Sequence, residues 1–69
     1  MKYRCLLSGD VIDYPILRLK YFRLNSDNWY YPKQVNEPDY RYKTRDFTLF
    51  ALIDDDGRRG LVWFPVEAI

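Results

Sequence analysis

The chain contains no histidine and a single cysteine, Cys5. The first absence removes the commonest general base and the commonest transition-metal ligand. The second excludes an internal disulfide and a cysteine-built zinc site, and leaves a thiol without the imidazole that usually activates one. Cys5 is therefore expected as a small core residue, and the chain is read as cytoplasmic, in a reducing compartment. A large charge excess is also missing: the net charge is +1, which argues against a polybasic, histone-like role. No apolar stretch approaches the roughly 20 residues needed to cross a bilayer, so no membrane role is expected, and residues 1–9 are too short and too soon broken for a signal peptide. Repeats, low-complexity tracts and linkers are absent, so 1–69 is read as one domain.

Aromatic residues are abundant instead: seven Tyr, four Phe and two Trp. A chain this short hides only about 60% of its unfolded surface, so its core cannot hold all of those rings. Some Tyr or Trp side chains are expected outside, where such amphipathic rings are enriched at recognition sites. Charge is unevenly spread along the chain. A basic middle (Arg18, Lys20, Arg23, Lys33, Arg41, Lys43, Arg45) precedes an acidic end (Asp46, Asp54, Asp55, Asp56, Glu67).

The last third carries the clearest structural signal. Residues 47–53 and 60–64 are two apolar, aromatic-rich runs joined through Asp56-Gly57, a pair suited to a two-residue hairpin turn because both residues tolerate positive φ. The first run is apolar on both faces, as a central strand would be. Earlier, residues 2–8 alternate, placing Tyr3 and Cys5 on one face and Lys2 and Arg4 on the other. Residues 16–24 place Leu17, Leu19 and Tyr21 opposite Arg18 and Lys20 before the phase slips at Phe22 and Leu24. That slip fits a bulge in a curved strand, with a short helix from Pro15 as the competing reading. Residues 25–28 form a turn cluster, and 29–39, broken by Pro32 and Pro38, form a long loop. Tyr40 to Arg45 extends the next strand backwards, with Tyr40 and Tyr42 on one side and Arg41, Lys43 and Arg45 on the other. Pro65 to Ile69 turns back across the end of the core. Four or five short antiparallel strands in so few residues protect their edges best by curling into a small barrel.

The order of these elements resembles the small SH3-like barrel proteins of bacteriophages and bacteria. The residues that carry it are Tyr3-Arg4-Cys5-Leu6, a curved second strand ending near Leu24, Ile53-Asp54-Asp55-Asp56-Gly57, and Val62-Trp63-Phe64 with an aliphatic end. The chain departs from that pattern at Pro15, where many such proteins have a glycine before the second strand, and in a longer insertion at 25–45. The resemblance implies an all-β SH3-like barrel and a small phage accessory protein that binds or inhibits a host component.

Catalysis finds little support. Asp54-Asp55-Asp56-Gly57 superficially suggests a calcium loop, but counting from Asp54 places Pro65 where a bidentate Glu is required, and counting from Asp56 places Arg58 at an acidic position. Arg58-Arg59 is read as a solvated hairpin tip. Asp10 and Asp13 are a carboxylate pair whose spacing in the fold the sequence does not set. The chain is thus expected to be no enzyme and to need no cofactor. The constellation with recognition chemistry is Trp29, Tyr30, Tyr31, Tyr40, Arg41, Tyr42, Lys43 and Arg45. Aromatic faces interleaved with cations suit an acidic protein partner, and suit stacking on bases with cations on phosphates. The alternative is that the tyrosines cover the core and the cations form a solvated face. A protein partner is expected first, single-stranded nucleic acid second, with a monomer or weak homodimer associating through 29–42 as a third use of the same residues.

Overall fold

The computed structural model describes residues 2–55, 57 and 60–69. It is all-β, with five antiparallel strands in one sheet: β1 (Tyr3–Cys5), β2 (Ile16–Arg23), β3 (Trp29–Tyr30), β4 (Phe47–Asp55) and β5 (Gly60–Ala68), in the order β1-β5-β4-β2-β3. The expected fold class, with one long irregular connection, is what the chain adopts. The two longest strands, β4 and β5, pair with each other inside the sheet, and most of their residues are β-branched, aromatic or aliphatic. The two-residue turn expected on Asp56-Gly57 and the hairpin tip at Arg58-Arg59 lie outside the described residues except for Gly57.

Paired residues share a face, so the register sorts every side chain. Tyr21, Leu49, Val66 and Cys5 lie in one row, and Leu19, Ala51 and Phe64 in the next. With Tyr3 and Ile53 these rows form the buried core, in which Tyr3 and Ala51 are fully enclosed. On a flat sheet β1 and β2 would stand about 14 Å apart, three strand spacings. Tyr3 and Tyr21 nevertheless join one core cluster, so the sheet curls around its inner face. Between the edge strands β1 and β3 the chain supplies loops. Tyr3 donates its hydroxyl hydrogen to the Asn36 carbonyl at 2.7 Å, and the Tyr21 hydroxyl accepts from the Asp39 amide at 2.7 Å. Residues 10–12 bond to the outer edge of β1 through Cys5 N to Asp10 O and Ile12 N to Tyr3 O, both 2.9 Å.

Four expectations are corrected. The alternation of β2 runs unbroken through Phe22, and the irregularity falls between Ile16 and Arg18, where Leu17 is the extra, exposed residue. Phe22 is apolar because the face it occupies is apolar. Trp29 and Tyr30 form a short strand against Phe22 and Tyr21, so the long loop begins only afterwards. Residues 40–42 form a 3₁₀ turn and not a strand: the Asp39 carboxylate accepts from Arg41 N, Thr44 N bonds to Tyr42 O, and Thr44 Oγ1 accepts from Asp46 N, so local bonds occupy groups that a ladder would need. Finally, 65–68 does not turn back but continues β5 against β1. Pro65 is tolerated there because its carbonyl, and hence its missing N–H, faces the end of β1, where Leu6 N already bonds to Pro65 O in the turn.

Candidate functional site: an aromatic sheet face

The eight residues singled out in the sequence do not form one patch. Trp29 and Tyr30 are successive strand residues and face opposite sides of the sheet. Tyr30 turns inward, its ring 5.4 Å from Tyr42 and 5.7 Å from Phe47, while Tyr42 lies 4.9 Å from Tyr21. These rings close one end of the core, as the structural alternative for the tyrosines requires. Tyr31 is exposed on the far side, beside Arg18, Pro32 and Val35. Tyr40, Lys43 and Arg45 line an open cleft of ≈ 630 Å³ floored by Phe47, Leu49 and Val66. Arg41 is committed to Asp39, its guanidinium 2.6 Å from the carboxylate. Hydrogen bonds from Arg41 hold the Asp39 carboxyl below its usual range, and the same pair raises Arg41.

The outer face of the sheet carries a second aromatic assembly that the sequence reading missed apart from Trp29. The register places Phe22 beside Trp29, Lys20 beside Phe50, Phe50 beside Pro65, and Leu52 beside Trp63. The Trp29 ring lies 4.6 Å from Phe22 and 5.6 Å, edge on, from Phe50. Lys20 Nζ sits 3.6 Å from the centroid of Trp29 and 3.8 Å from that of Trp63, a cation held by two indoles. Exposed Leu61 extends the apolar surface at one end, and the Arg4–Glu67 ion pair, at 3.6 Å, bounds the other. The connections that pack on the sheet through Ile12, Asn36, Asp39 and Tyr42 all do so on the inner face.

An antiparallel sheet with one core face ordinarily shows polar residues on the other. Here the second face is apolar at its centre. A signal existed in the sequence: 47–53 is uncharged throughout and apolar at every position but Thr48, Trp63 and Pro65 stand between the core residues of β5, and Phe22 follows Lys20 on the charged side of β2. The electrostatics fit the packing. Burial lowers the Lys20 ammonium below its ordinary value. On the inner face, burial, followed by the neighbouring Tyr21 and Glu37, pushes the Tyr3 phenol up to about 12.

Among the described residues no cluster of His, Cys, Asp or Glu could hold a metal ion, and no helix is long and apolar enough to cross a membrane. Asp10 and Asp13 both line a second open cleft, of ≈ 610 Å³, with Tyr14, Ile53 and Phe64. No protein-family model, curated protein or solved structure matches the chain.

Proposed function

We propose that this chain is a non-enzymatic protein-binding module, working in the cytoplasm through the outer face of its sheet. The observation that carries the reading is the interlocked group Phe22, Trp29, Phe50 and Trp63 around Lys20, an apolar centre on the sheet face opposite the core. Clustered aromatic side chains at the middle of a surface patch are the residues that dominate protein–protein affinity. Single-stranded nucleic acid is the less favoured partner, because a net charge of +1 provides little attraction for phosphates. Kinship with the SH3-like barrels of bacteriophages and bacteria belongs to this proposal, and with it an accessory role in which a small domain blocks a host component by covering part of its surface.

The test is capture of partners from a bacterial lysate, with and without nuclease, by the wild-type chain, by Trp63→Ala and by the cleft variant Tyr40→Ala, Arg45→Ala. The proposal expects a nuclease-resistant protein that Trp63→Ala loses and the cleft variant keeps. Capture of nucleic acid that high salt releases would instead establish the single-strand reading, since phosphate contacts weaken by decades as salt rises. Loss of the protein only in the cleft variant would move the interface to Tyr40, Lys43 and Arg45.

A further inference from the structure

Among the described residues, Lys20 is a cation without an anion. Its ammonium lies between the Trp29 and Trp63 rings, and its cross-strand neighbour is Phe50. Ring faces attract the charge but offer none of the ammonium's three N–H groups an oxygen acceptor. The two ion pairs among the described residues are Arg4–Glu67 and Arg41–Asp39, so neither engages Lys20. Asp54, also on the outer face, stands at its far end opposite Leu61. A lysine fixed by two indoles in an apolar surround has lost much of its freedom and part of its hydration before any partner arrives, and burial lowers its pKa accordingly.

We infer that Lys20 is the anion-receiving centre of this face, and that the partner presents an Asp or Glu side chain flanked by apolar residues that cover Trp29 and Trp63. This rests on the protein-binding reading and names its chemistry. A carboxylate directed at Nζ supplies the missing acceptor in a water-poor setting, where charge-assisted bonds are short and strong. Two copies of this face paired about a two-fold axis would bring Lys20 toward its own counterpart, a like-charge contact that disfavours self-association here. An acidic, apolar segment of another protein meets both requirements.

The probe is a random 12-residue peptide library displayed against the full chain, against Lys20→Met and against Trp63→Ala, followed by affinity measurement on the selected peptides. Leu61→Ser, at an exposed position of the same face, replaces Trp63→Ala if that variant does not fold. The wild-type chain should enrich peptides with one acidic residue between apolar ones. Lys20→Met should bind them about 10- to 100-fold more weakly and select without acidic preference. Face-directed peptides that carry no acidic residue, or an acidic preference kept by Lys20→Met, would overturn the role of Lys20 while leaving the protein-binding reading intact. Failure to enrich any peptide sensitive to the face variant would overturn both.

Discussion

Replacing Tyr21 by Phe removes one oxygen and no packing. The ring stays in the core beside Tyr42, but the Asp39 amide loses its acceptor at 2.7 Å, and with it the bond that ties the cap of the 3₁₀ turn to the sheet. A made hydrogen bond contributes about 1 kcal/mol net, and a buried donor left unmet costs about 1–3 kcal/mol. The Asp39 amide is only partly buried, so water satisfies it in part and the expected loss is about 1–2 kcal/mol. In a domain of this size that lowers Tm by about 5–15 °C. Urea denaturation followed by tryptophan fluorescence and far-UV CD measures it. Tyr3→Phe removes the donor to the Asn36 carbonyl and should cost about 0.5–1.5 kcal/mol. Both tethers hold the connection between β3 and β4, so losing either one lets that segment lift. The double variant should therefore fall short of the sum by at least about 0.5 kcal/mol. A loss below about 0.5 kcal/mol for Tyr21→Phe, or strict additivity in the pair, would refute the idea that these hydroxyls fasten the loop to the sheet.

Three further outcomes follow from the same packing. Burial raises the Tyr3 phenol to about 12, so its contribution is whole below the ordinary tyrosine value near pH 10 and is lost as pH rises through 10 to 12; Tyr21 is raised as well, also by burial first. Absorbance at 295 nm should show a late-titrating phenol that Tyr3→Phe removes, and titration of every tyrosine near pH 10 would contradict this. Ala51 is fully enclosed between Leu19 and Phe64, so Ala51→Leu should destabilise by about 1–3 kcal/mol in urea, and a neutral result would mean that the core is looser than described. Gly60 has φ of +143° with open space around its Cβ position, so Gly60→Ala should lose about 1 kcal/mol through backbone strain alone.

The fold was legible where alternation and apolar continuity agreed. Residues 47–53 read as a central strand and 60–64 as its hairpin partner because they carry no charge to place, and Cys5 read as core because the alternation of β1 put it with Tyr3. The second strand misled for an instructive reason. Phe22 looked like a slipped phase only if the second face had to be polar, and the slip vanishes once Phe22, Phe50 and Trp63 are seen to share a face. Residues 40–45 alternate like a strand, yet the Asp39 cap and the Thr44 hydroxyl satisfy the backbone locally. Grouping Trp29 with Tyr30 failed on strand geometry, since neighbours in a strand point apart. Lys20 could not have been found without the register: Trp29 and Trp63 lie 34 positions apart in the chain and both reach Lys20 only because β3 and β5 flank the β2–β4 pair.

The most direct test of the outer-face account is hydroxyl-radical footprinting of the chain alone and bound to the protein it captures. Trp29 and Trp63 should lose reactivity in the complex while Tyr40, on the cleft, keeps its own. Protection of Tyr40 with Trp29 and Trp63 unchanged would contradict the account and place recognition on the loop instead.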